Sequence, residues 1–144
     1  MYLRQKLSLN ISLGGARYAF VKGDLTRALR ALEKAEQIKP LSPAYRVFKS
    51  MLLTRMKQHE KADSLLASVV TVFGDAEDAE ALYAVTYAQL LQSLTSQNFE
   101  LAEVLFDRAK GIKVKASLRR ALPLLMRPTV EWARSGPGLP APKR

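Results

Sequence analysis

The chain has 144 residues, a formal net charge of +10 and a hydrophobic fraction of 48%, which is enough for a continuous core in one domain of ordinary size. It contains no cysteine, which excludes a disulfide framework and thiolate chemistry. No apolar run approaches the ~18 residues that a membrane-spanning helix needs. No apolar leader with a small-residue cleavage site opens the sequence, so we expect a cytoplasmic protein without a transmembrane segment.

Residues 1–10 are interpreted as an N-terminal extension. Leu3 and Leu7 alternate there with Arg4 and Lys6. The segment is either a frayed turn that covers the first repeat or a short basic amphipathic element that lies on a membrane or a partner.

The segment 11–40 predicts a helical hairpin. On one side of Gly23-Asp24, small and apolar residues recur at helical spacing, and on the other side Leu25 begins a series that keeps one helix face apolar for about three turns. Gly23 is suited to a left-handed helix end and Asp24 to the N-cap of the next helix, while Pro40 stops that helix.

The hairpin pattern recurs over 43–74 and again over 76–112. A step of 34 residues takes Ala28 to Ala62, and 40 further residues reach Ala102. We therefore expect a six-residue extension near residues 91–96 that lengthens the turn of the third hairpin. Ser42-Pro43, His59 and Asn98 mark three expected helix starts, and the acidic run Gly74-Asp75-Ala76-Glu77-Asp78 is expected to supply the N-cap and first turn of the third hairpin.

The pattern resembles the tetratricopeptide repeat, a family of paired antiparallel helices called A and B. The matching residues are Ala16, Gly23, Asp24, Ala28, Leu32, Ala35 and Pro40 in the first repeat, Ser50, Ala62, Leu66 and Val69 in the second, and Ala84, Tyr87, Ala102, Phe106 and Ala109 in the third. The second and third repeats lack the Gly-Asp turn. The resemblance implies an all-α fold, a right-handed superhelical stack of antiparallel hairpins. The alternative is an unrelated helical bundle with chance periodicity.

The resemblance also implies a concave groove, lined by helix A, that holds a peptide or a partner helix. The groove candidates are Leu13, Arg17, Phe20, Val21, Val47, Phe48, Met51, Arg55, Ala81, Val85, Ala88 and Gln89. The family's clamp for acidic chaperone tails uses Lys and Asn at positions that here hold Leu13, Arg17, Phe48, Asp78 and Leu82, so that ligand is not expected. The extended third hairpin or a second copy of the chain could instead fill the groove.

Beyond the repeats, residues 113–134 predict a basic helix that caps the stack. Leu118, Leu122 and Leu125 would face inward, and Pro123 predicts a kink or break. Residues 135–144 are rich in proline and glycine and predict a disordered tail.

The net charge is unevenly distributed. Residues 77–112 carry −4 (2 basic, 6 acidic) and residues 113–144 carry +7 (8 basic, 1 acidic). This contrast fits a solvated surface, a homo-oligomer joined through its charge-complementary ends, or a site for RNA or acidic lipid. The candidates for an anionic partner are Lys113, Lys115, Arg119, Arg120 and Arg127.

Catalytic signatures are absent from the sequence. There is no glycine-rich phosphate loop, no HExxH motif and no cluster of metal ligands, and the single histidine, His59, is interpreted as a partly packed structural residue. We expect no enzyme activity and no cofactor. The favoured function is a protein-interaction module, either an adaptor, a chaperone-like binder or an assembly subunit; the alternative is an RNA or acidic-lipid binder that uses the basic C-terminal helix.

Overall fold

The structure, a computed structural model, describes residues 2–114, and over this range it is all-helical. The elements are α1 (Tyr2–Val21), α2 (Leu25–Ile38), α3 (Pro43–Arg55), α4 (His59–Phe73), α5 (Ala79–Thr95) and α6 (Phe99–Lys110). The chain divides into two compact units, Met1–Leu65 and Leu66–Arg144, with the boundary inside α4. The predicted capping helix and tail lie outside the described residues, apart from Lys113 and Val114, which are not helical.

Side-chain caps fix where the helices begin. Asp24 accepts a hydrogen bond from Arg27 N at 3.0 Å, Asp78 from Ala81 N at 3.1 Å, and Asn98 from Leu101 N at 3.2 Å. Each cap satisfies one of the backbone donors left unpaired in the first helical turn. Ser42 makes no such bond, but Pro43 at the first position of α3 has no N–H to satisfy.

The same turn joins the helices of each hairpin. Its left-handed residue is Gly23 (φ 82°), Lys57 (φ 62°) or Gln97 (φ 62°). At the first turn, Asp24 N donates to Ala19 O and Gly23 N donates to Phe20 O; the equivalent pair of bonds occurs at Lys57 and at Gln97. This is the Schellman motif, and it closes three hairpins although only the first contains glycine.

In the first unit, α1 packs on α2, which also contacts α3. Ala16 and Ala28 are fully buried, and these small side chains let the helix axes approach closely. Lys49 of α3 pairs with Glu36 of α2. Arg46 Nε donates to Leu41 O at 2.9 Å and so holds the connection between α2 and α3.

In the second unit, α5 packs on α6. Tyr83 and Tyr87 form an edge-to-face pair with ring centroids 4.8 Å apart, and each is 1% exposed. Phe106 and Ala109 of α6 are buried. The two tyrosines are therefore core residues of this unit.

Two boundaries differ from the sequence-based expectation. Residues 2–10 are the first half of α1 and not a separate extension, because its apolar pattern continues into that of the first hairpin. The third hairpin gains length in its helix: α5 has 17 residues against 13 in α3, while the turn at Gln97 keeps the geometry of the turn at Lys57. A helix that grows by about one turn stays in phase with its partner, whereas a longer turn would lose the Schellman bonds.

Candidate functional site

The candidate site lies in the first unit and is built on α1 and α3. Phe20, near the end of α1, meets Phe48 of α3 edge to face, with ring centroids 5.6 Å apart at 78°. The guanidinium carbon of Arg55, at the last residue of α3, lies 5.1 Å from the centroid of Phe20. α1 and α3 thus bring the Arg55 guanidinium onto the ring of Phe20, which also packs against the buried Phe48.

Arg55 carries a polar group that the fold leaves unsatisfied. Its Nη1 is buried and finds no hydrogen-bond acceptor within the part of the chain that the structure describes. A buried donor without a partner is destabilising by roughly 1–3 kcal/mol, and more when the group is charged. The ring of Phe20 compensates the charge only in part, since a cation–π contact contributes about 0.5–2 kcal/mol. The arrangement favours a carboxylate from outside the described chain.

The predicted groove residues of the first unit separate into three environments. Val47, Phe48 and Met51 are buried, with exposed fractions of 0%, 2% and 5%, so they offer almost no area to a partner. The half-buried candidates are Leu13, Arg17, Phe20 and Arg55. Val21 is 75% exposed and lies on the outer side of α1.

The groove candidates of the second unit are mostly core. Ala81, Val85 and Ala88 are buried, and Gln89 is half-buried. Gln89 lines a depression of about 360 Å³ between α5 and α6, together with Leu101 and Arg108. This pocket mixes polar and apolar walls and has no concentrated charge.

An open depression of about 610 Å³ in the first unit involves different residues. Its walls include Glu33, Glu60, Lys49 and Lys61, so both signs of charge are present. None of the groove candidates lines it. The depression therefore adds no ligand preference to the Arg55 site.

The side chains capable of acid–base or metal chemistry are dispersed. His59 is exposed at the first residue of α4, which corrects the expectation of a partly packed side chain. Among residues 2–114, no group of three or more His, Cys, Asp or Glu side chains could hold a metal ion. Of the candidates for an anionic partner, Lys113 is exposed, and Lys115, Arg119, Arg120 and Arg127 lie outside the described range.

The outer face of α1 extends the basic amphipathic element that was one of two predictions for residues 1–10 along the whole helix. It consists of Leu3, Leu7, Ile11, Tyr18 and Val21, which are 62–77% exposed. The spacing of Leu3, Leu7 and Ile11 is a helical signal. The continuation of this signal along α1 is difficult to recognise in the sequence because the opposite side of the helix also has apolar and small residues. No single face therefore dominates the periodicity.

Comparison with known proteins gave no match to the chain among family models, curated proteins or solved structures. Within residues 2–114, no helix has the length and hydrophobicity needed to cross a membrane.

Proposed function

We propose that this chain is a non-catalytic protein-interaction module of tandem helical hairpins, similar to tetratricopeptide repeats, which binds an acidic peptide segment of its partner at Phe20 and Arg55. The observation that carries the proposal is the buried Nη1 of Arg55, which lacks an acceptor among the described residues while the guanidinium lies over Phe20.

The repeat interpretation is supported by equivalent burial in each hairpin. The positions expected where helices A and B touch, Ala28, Ala62 and Ala102, are at most 1% exposed. The next two positions along helix B are also buried in all three repeats: Leu32, Leu66 and Phe106, then Ala35, Val69 and Ala109. The three Schellman turns add a backbone regularity to this side-chain regularity.

A carboxylate is the ligand that suits Arg55 best. Arginine binds carboxylates through charge-assisted hydrogen bonds, and its planar guanidinium keeps an aromatic contact at the same time. The half-buried ring of Phe20, which lies beside Arg55, would contact the apolar stem or the flanking residue of the peptide. The ligand is thus an Asp or Glu side chain, or a chain terminus, next to an apolar residue.

An array of ten-residue peptides that vary in acidic and apolar content tests this function. The full chain should retain peptides with an acidic residue next to an apolar one, and Arg55→Met should weaken that binding by about ten- to a hundredfold, as expected for a hydrogen bond to a charged group. Arg30→Met, on an exposed position of α2, makes the same chemical change as a control. Equal binding by both variants, with unchanged circular dichroism, would reject the Arg55 site. A pull-down from the native host at low and high salt would then identify partners.

The second candidate function is binding of RNA or acidic lipid by the basic segment 113–134. The observation that favours it is the net charge of +7 over residues 113–144 (8 basic, 1 acidic). Charge alone gives affinity for polyanions without specificity.

A further inference from the structure

The outer face of α1 carries a row, or stripe, of exposed apolar side chains, Leu3, Leu7, Ile11, Tyr18 and Val21, with Gly14 in the gap between Ile11 and Tyr18. At 3.6 residues per turn, its five side chains fall within an arc of about 80°, and from Leu3 to Val21 the stripe is roughly 27 Å long. Exposed fractions are 77% for Leu3, 66% for Ile11 and 75% for Val21. Large aliphatic side chains in one exposed row are unfavourable in water and mark an interaction surface.

The described chain leaves this stripe uncovered. α1 contacts α2 through Ser12, Ala16 and Ala19, which are buried and lie nearly opposite the stripe on the helix circumference. The helix therefore has one side of small residues for its own hairpin and another of large residues directed to the solvent. The large residues of the outer face therefore take no part in the core of the first unit.

The charges that border the stripe indicate which kind of partner binds it. Arg4 and Lys22 border it on one side, and Lys6 and Arg17 border it on the other, while no acidic residue occurs from Tyr2 to Lys22. The Lys22 ammonium lies 5.6 Å from the Tyr18 ring centroid, and so one cation is held beside the apolar row. Two copies of α1 placed face to face would bring these like charges together. An anionic surface meets them with opposite charge.

We propose that the outer face of α1 binds an anionic lipid surface, with the helix lying in the plane of the interface. The apolar row would enter the boundary between headgroups and acyl chains, and the flanking Lys and Arg side chains would extend to lipid phosphates. Tyr18 is suited to the same depth because its ring is apolar and its hydroxyl is polar. Because basic residues flank the row and α1 is not apolar all round, the helix lies on the bilayer and does not cross it.

Flotation of the full chain with lipid vesicles tests the proposal. At about 50 mM salt, where charges are weakly screened, the protein should float with vesicles of phosphatidylcholine and phosphatidylglycerol and bind pure phosphatidylcholine at least about tenfold more weakly. Leu7→Gln together with Ile11→Gln should lower affinity for the anionic vesicles by at least about tenfold, because two apolar anchors are lost. Arg4→Gln together with Lys6→Gln should lower it by a similar factor and reduce its salt dependence.

Matched variants separate this face from the rest of the chain. Leu101→Gln with Val104→Gln removes two exposed apolar residues from α6, and Arg30→Gln with Lys34→Gln removes two exposed charges from α2. Both control proteins should float as the unaltered protein does. Arg119→Gln with Arg120→Gln, in the basic C-terminal segment, should change vesicle affinity less than the Leu7/Ile11 pair does.

Three results would overturn the proposal. The first is no flotation of the unaltered protein with anionic vesicles. The second is unchanged flotation of the Leu7→Gln/Ile11→Gln variant whose helical circular dichroism is intact. The third is a dimer in sedimentation velocity that the same variant converts to monomer without any vesicle binding, which would assign the stripe to a second copy. Peptide binding at Arg55 uses other residues, so it can fail or succeed independently of all three.

Discussion

Among single residues, Phe48 and Arg55 show how neighbouring side chains on one helix acquire different roles. Both were expected to line a groove, but Phe48 is 2% exposed and contacts both Phe20 and Tyr45. Arg55 is half-buried, stacks on the same Phe20 ring and keeps an unsatisfied nitrogen. Phe48 therefore contributes to stability, whereas Arg55 is the residue that we propose for recognition.

Phe48→Ala should destabilise the protein strongly. Removal of a buried phenyl ring leaves a cavity and removes its aromatic contacts, which lowers the free energy of unfolding by about 3–5 kcal/mol. Tyr18→Ala, at a 62% exposed aromatic position, is the control and should cost less than about 1 kcal/mol. Urea denaturation followed by circular dichroism measures both. Equal transition midpoints would show that Phe48 is not a core residue.

Among the elements, the hairpin turns reuse one backbone conformation with different residues. Gly23 accepts a positive φ without steric cost, whereas Lys57 and Gln97 adopt it against the preference of side chains with a Cβ. Gln58 N still donates to Leu53 O, and Asn98 N still donates to Ser93 O, so the Schellman motif forms at both turns. Each of the two later turns thus stores a small conformational strain.

Glycine at these turns should stabilise the protein. Lys57→Gly and Gln97→Gly each relieve a left-handed strain of about 1–2 kcal/mol, part of which is offset by the greater freedom of glycine in the unfolded chain. A net gain of about 0.5–1 kcal/mol in the free energy of unfolding is expected for each. Gly23→Ala should show the reverse, a loss of about 1 kcal/mol, with no steric clash because nothing lies within 4 Å of its added Cβ. Thermal denaturation of the three variants measures these changes; a loss at Lys57→Gly would contradict the strain.

The contact between helices A and B should tolerate no larger side chain at its centre. Ala62 of α4 is 0% exposed, and Ala67 of the same helix is exposed. Ala62→Leu should overpack the interior and cost about 1–3 kcal/mol. Ala67→Leu, the matched control, should change the free energy of unfolding by no more than about 0.5 kcal/mol. Similar melting temperatures for the two variants would count against the repeat register.

For the whole molecule, net charge governs the weak interactions with polyanions. The chain carries +10 in total, and eight of its basic residues lie between 113 and 144. Binding to a polyanion releases counterions, so the affinity falls steeply with salt concentration. A solvated capping segment would need these charges only for solubility.

The salt dependence of binding to a generic single-stranded RNA tests the alternative function. Arg119→Gln with Arg120→Gln should weaken binding and reduce the slope of log K against log salt by about 1.4, since single strands release about 0.7 counterions for each of the two neutralised phosphates. Binding of peptides at Arg55 should be unaffected. Absence of RNA binding by the unaltered protein at about 50 mM salt would remove RNA from the list of ligands.

Local signals in the sequence predicted where three of the helices begin. The predicted starts of α3, α4 and α6 agree with the structure because the signals that set them act within a few residues: Pro43 stands at a first helical position, and Asn98 immediately precedes α6. Each of these inferences depends on chemistry between neighbours along the chain.

Which apolar faces are buried depends on contacts between residues that are distant in the sequence. α1 has large side chains on one side and small ones on the other, and it is the small ones that pack, because Ala16 and Ala19 allow α2 to approach closely. The burial of Met51 and the orphaned nitrogen of Arg55 depend likewise on residues distant in sequence. The hydrophobic effect favours the burial of any apolar face, but the shape of the partner helix determines which face is buried inside the fold.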